Sequence, residues 1–160
     1  MKALTSLLIV LSVPSVFGQV SKRDVKFIEE AAQGNRSEVV LGRLASKRGF
    51  SADIRKFGEQ MVRDHSRALA DLKVIAMRKH IPITTTVNAE DAALYRRLSR
   101  LTGRAFDRAY RTAMIEDHEK DTAEFVVASN RASDPEVRAY AKKVLARLWD
   151  HLRMIRLTKP

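Results

Sequence analysis

Three of the chain's four histidines directly follow an aspartate: Asp64-His65, Asp117-His118 and Asp150-His151. The first two close similar phrases, Met61-Val-Arg-Asp-His65 and Met114-Ile-Glu-Asp-His118, and Leu148-Trp-Asp-His151 is a looser echo. Imidazole is a common metal ligand. Imidazoles joined by a carboxylate suit zinc, iron, copper or manganese. Glu38 and Asp121 fall on apolar helical faces, where an unpaired carboxylate is costly, so the candidate metal ligands are Glu38, His65, His118, His151 and Asp121. Two other readings use the same residues. In one, the histidines are core groups hydrogen-bonded to carboxylates, with no ion. In the other, the protein is a basic binder of polyanions and the histidines have no separate task.

The spacing excludes one well-known chemistry. Di-iron carboxylate bundles place a glutamate three residues before each of two histidines. The corresponding positions here are Val62, Ile115 and Leu148, all apolar. A di-iron oxidase is therefore not expected, no catalytic residues are assigned, and the chain reads as non-enzymatic. Asp64, Asp117 and Asp150 point about 100° away from their own histidines on a helix. Each can orient only a histidine on an adjacent helix. Met61 and Met114 read as core fillers.

Helices must position these groups. Residues 22–48 carry Phe27, Ile28, Ala31, Leu41, Leu44 and Ala45 at helical spacing, with Glu38 on the same face. Gly49 and Ser51 then supply a stop and a fresh N-cap. His65 lies in the stripe Ile54, Phe57, Met61, Ala68, Leu72, Ile75 of a helix over 52–79. His118 and Asp121 lie in the stripe of a helix over 104–131, and His151 in that of a helix from Pro135 to about 157. Between them, 80–88 lacks periodicity and 89–101 regains it, so a long crossover with a short extra helix is expected. Residues 44–58 align without gaps on 127–141. The fold expected is all-α: a ferritin-like four-helix bundle of two hairpins joined by a long crossover. Counted from the two corners, the polar residues should meet near mid-height.

At 160 residues with 45% hydrophobic and 31% charged side chains, the chain suits one globular domain. It has no cysteine, which excludes disulfides and thiolate metal sites. A formal charge of +11 favours encounter with polyanions. The series Arg97, Arg100, Arg104, Arg108 and Arg111, read as one helical stripe, would make weak, salt-dependent contacts with anionic lipid or lipopolysaccharide. Specific nucleic-acid recognition is not expected. Residues 1–18 read as a signal peptide: Lys2, an apolar run from Ala3, then Val16-Phe17-Gly18 before cleavage ahead of Gln19. The mature domain would be 19–160, with no transmembrane segment, periplasmic or secreted.

Several motifs carry a resemblance. Glu38-x-x-Leu41-x-x-x-Ala45, the two five-residue phrases, Gly103-x-x-Phe106-Asp107-x-x-Tyr110 and His151-Leu152 together resemble the bacterial family called domain of unknown function 4142. The likeness runs from Phe27 to Leu152. It implies a ferritin-like fold and an envelope location, and it brings no established reaction. The family's last helix carries a proline where this chain has Ala146.

Overall fold

The computed structural model describes residues 20–84 and 86–159; the expected signal sequence lies outside them. The described residues form five helices: α1 (Lys22–Arg48), α2 (Ala52–Arg78), α3 (Ala89–Ser99), α4 (Gly103–Arg131) and α5 (Pro135–Leu157). No strand occurs among them. The chain is an all-α bundle in which α1 packs along α2, α4 packs along α5, and α3 lies across α1 and α4.

Local chemistry starts most of these helices. Ser21 caps α1 by accepting from Asp24 N, and Ser51 caps α2 by accepting from Ile54 N. Asn88 caps α3 through Asp91 N. Asp134 caps α5 through Glu136 N and Val137 N, with Pro135 at the first helical position. Gly103 opens α4 with φ +56, in the left-handed region, so it serves the start of this helix and not the end of α3.

Two buried aspartates tie the hairpins together. The Asp24 carboxylate accepts from Ser133 N and Asp134 N at the α4–α5 corner. The Asp107 carboxylate accepts from Phe50 N and Ser51 N at the α1–α2 corner. The corners therefore stand at opposite ends of the bundle. Within the first hairpin the backbones touch: a Cβ on Gly58 would meet Gly42 O at 2.6 Å, and one on Gly42 would meet Gly58 O at 2.8 Å.

The apolar interior falls into two clusters. One, near the second corner, includes Ile28, Leu72, Phe125, Tyr140 and Leu148. The other, near the first corner, includes Leu41, Phe57, Met61, Phe106, Tyr110, Met114 and Leu152. Between them lies a layer of buried polar side chains: Asn35, Glu38, His65, His118, Thr122 and His151.

The arginine series does not form one stripe. Residues 100–102 separate its α3 part from its α4 part. Arg111 is engaged elsewhere, donating to Thr158 O at 2.9 Å and Arg156 O at 2.7 Å at the end of α5. Among the described residues, no helix is long and apolar enough to cross a membrane.

Candidate metal centre

Each of the bundle helices supplies one residue to the centre of the polar layer: Asn35 on α1, His65 on α2, His118 on α4 and His151 on α5. The three imidazoles are 4%, 0% and 2% exposed. One ring nitrogen from each lies within 4.8 Å of the other two.

Hydrogen bonding fixes which nitrogens those are. Asn35 Nδ2 donates to Ala31 O at 2.6 Å and to the Tyr140 hydroxyl at 3.1 Å, so its Oδ1 is the atom 3.1 Å from His65 Nδ1. That oxygen can only accept, which places the proton on His65 Nδ1. His118 Nδ1 donates to Met114 O at 2.9 Å. His151 Nε2 donates to Asp64 Oδ2 at 2.8 Å. Each neutral ring is left with one lone pair, on His65 Nε2, His118 Nε2 and His151 Nδ1. Such outer hydrogen bonds fix tautomer and ring orientation at metal centres.

These lone pairs lack partners. His65 Nε2 is buried with none. His118 Nε2 and His151 Nδ1 face each other at 3.4 Å. With both outer nitrogens carrying the protons, that contact sets one lone pair against another. Metal–imidazole bonds of about 2.0–2.1 Å around one ion would space their nitrogens about 3.3–3.6 Å apart.

The electrostatics keep the rings neutral. Burial pushes His65 well below its ordinary range, and the neighbouring imidazoles push it further. Burial and His151 lower His118 to about 4, against the opposing pull of Asp117 and the Met114 carbonyl. Burial lowers His151 too, although Asp64 works against it. Neutral imidazole is the form that ligates.

The remaining candidates stand apart. Glu38 groups with Asp117 and His118, not with His65 and His151. It is 1% exposed, lies close to Asp117, and has Oε2 without a partner. Burial, then the charge of Asp117, holds its carboxyl well above the usual range. Asp121 belongs to neither group and lines a cleft between α1, α3 and α4. Its carboxyl is also raised well above the usual range, by burial and then by Asp117. Met61 and Met114 are fully buried in the apolar cluster near the first corner.

Asp64 on α2 orients His151 on α5, the inter-helix arrangement that helical geometry requires of an Asp-His pair. Asp150 instead pairs with Arg153 and Arg147. Asn35 carries no signature in its own surroundings. It does lie 83 positions before His118, the same offset as the internal repeat.

The sequence profile of "Domain of unknown function (DUF4142)" matches residues 15–157. The chain belongs to this family. No curated protein matches it. Solved structures share the fold. A DUF305 fragment from Deinococcus radiodurans superposes with a TM-score of 0.76 at 17% identity, covering 86% of this chain and 95% of that one. CopM in its Cu(I)-bound form gives 0.69 at 16% identity over 83% and 92%. CopM in its Cu(II)-bound form gives 0.71 at 14% over 83% and 93%. The family and these neighbours agree with an all-α bundle.

Proposed function

We propose that this is an exported, non-enzymatic protein of the cell envelope that holds one metal ion on His65, His118 and His151, with Cu⁺ and Ag⁺ as its preferred ions. The observation that carries the reading is the unpartnered set of three lone pairs, each backed by a donated hydrogen bond on the far side of its ring. A purely structural role for the histidines leaves His65 Nε2 unsatisfied and the 3.4 Å contact repulsive. The choice of ion follows from charge. The three donors are neutral and buried, and the cost of burying an ion grows with the square of its charge, so a monovalent ion costs roughly a quarter as much as a divalent one. Three nitrogens also suffice for a three-coordinate monovalent ion, whereas zinc wants a fourth ligand. CopM, which shares the fold, has been solved with copper and with silver.

The test is stoichiometry. Purified mature protein is titrated with Cu⁺ under reducing conditions, and separately with Ag⁺, Cu²⁺ and Zn²⁺. One tightly held Cu⁺ or Ag⁺ is expected, lost in His65→Ala and His118→Ala. No bound ion in the wild type would refute the reading and leave the histidines as core groups. Export rests on residues 1–18. N-terminal sequencing of native protein should return Gln19, and a chain beginning at Met1 in the cytoplasm would refute that part.

A further inference from the structure

Glu38 lies deep in the bundle, and the charges acting on it most strongly are other carboxylates: Asp117, then Asp121 and Asp91. Its Oε2 has no hydrogen-bond partner. Tyr110 on α4 is fully buried, and its hydroxyl also lacks a partner. The charges of Glu38 and Asp117 both reach that hydroxyl, so the two orphaned oxygens lie near one another. Glu38, Asp117 and His118 each bring one ligating atom within 4.8 Å of the other two. A buried carboxylate with neither partner nor counter-charge is costly.

We infer that Glu38, Asp117 and His118 form a second cation site, for a divalent ion such as Mn²⁺, which shares His118 with the three-histidine centre and is filled only when that centre is empty. Two carboxylates and one imidazole suit manganese, iron or zinc and not a soft monovalent ion. Two carboxylate charges balance a divalent ion in a buried setting, as three neutral imidazoles cannot. Bonds of about 2.0–2.2 Å keep the ligands of one ion within about 4.4 Å of each other, so the three atoms need close at most slightly. The ion supplies the partner that Glu38 Oε2 lacks. Asp117 is half-buried and lines the cleft between α1, α3 and α4, which opens the site to water for the ion's remaining positions. A neutral imidazole carries one lone pair, so His118 serves one ion at a time. Apart from this shared ring, the site is independent of the Cu⁺ reading.

Mn²⁺ titrated into the full mature protein in chloride-free buffer, with the free ion followed by electron paramagnetic resonance, tests this. The wild type should hold one Mn²⁺, and Ag⁺ added afterwards should release it. Glu38→Gln should weaken Mn²⁺ binding by about tenfold or more. It should bind Ag⁺ as the wild type does, which also shows that the variant is folded. His65→Ala should behave in the opposite way, losing Ag⁺ and keeping Mn²⁺. Glu38 does not line the cleft, whose exposed carboxylates include Glu30, Glu116 and Glu124. Mn²⁺ binding that Glu38→Gln leaves unchanged would therefore belong to those surface groups and overturn the site. Mn²⁺ and Ag⁺ held together by one chain would overturn the sharing of His118. No Mn²⁺ on a wild type that binds Ag⁺ would remove the second site and leave the three-histidine centre. Mn²⁺ bound by a wild type that takes no Ag⁺ would support this site and refute that centre.

Discussion

Asp24 and Asp107 perform the same task at opposite ends of the bundle, each accepting two backbone N–H groups from the corner of the hairpin to which it does not belong. They stand 83 residues apart, the offset of the internal repeat. The corners repeat other details at that offset. Arg55 donates to Gly49 O and Phe50 O, and Arg138 donates to Ala132 O and Ser133 O. The pseudo-symmetry is thus one of mutual capping, and it fixes the relative height of the hairpins. That height decides whether His65 meets His118 and His151.

Both aspartates are essentially inaccessible, and loss of either carboxylate orphans two donors. Asp24→Ala and Asp107→Ala should each lower stability by about 2–4 kcal/mol. Urea unfolding would measure it. The double variant should lose the sum of the two, since the sites share no partner. A loss under about 0.5 kcal/mol in either would contradict the capping role.

Acid should weaken the fold through the histidines. Their folded-state values lie below the ordinary one, that of His118 at about 4. Between about 6.5 and 4 the unfolded chain therefore binds more protons, and this contribution falls as pH falls. Bound metal should be released over the same interval, because protonation removes the ligating lone pairs. A fluorescence-monitored urea series from pH 7 to 4, with and without Cu⁺, reads both effects. Metal retained in full at pH 4 would contradict ligation by these rings.

Glu38 should act with the opposite sign. Its folded value is raised, so the unfolded chain ionises first, near 4.5, and stability from this group falls as pH rises toward the folded value. Glu38→Gln mimics the protonated form. It should match the wild type near pH 4 and become the more stable protein at pH 8. A variant less stable than wild type by the same margin at both values would show that the carboxyl is not held protonated.

The glycine contact in the first hairpin holds α1 close against α2, the helices that carry Asn35 and His65. Gly58→Ala would press a methyl group into Gly42 O and Ser46 N, both 2.6 Å from the ideal Cβ. Forcing α1 from α2 should cost about 1–3 kcal/mol by thermal or urea unfolding. It should also weaken Cu⁺ binding, because His65 would lose its orienting acceptor. Unchanged stability would mean the helices separate freely here.

Much of this arrangement was legible in the residues. Helical periodicity put His65, His118 and His151 on apolar stripes, and Gly49 with Ser51, and Pro135, marked the corners. What was not legible depends on which helix neighbours which. Glu38 and His65 are both inward-facing, yet Glu38 meets Asp117 and His118 while Asn35 meets His65. Two residues of one helix can face different partners, and periodicity does not distinguish them. Asn35 escaped notice because a lone asparagine has no motif; its alignment with His118 was the available clue. The acidic cleft combines residues from three helices and has no linear counterpart. The arginine series misled because Gly103 begins a new helix, so helical spacing across residues 100–102 has no physical meaning.

The polar layer has a mechanical consequence. It separates the apolar interior into two parcels, each anchored at its own corner. Amide hydrogens in the two parcels should exchange with solvent as two cooperative blocks of different protection. An ion gripped from α2, α4 and α5 would rivet the blocks across their seam and merge them into one, so that loading the protein changes how it opens as well as what it carries.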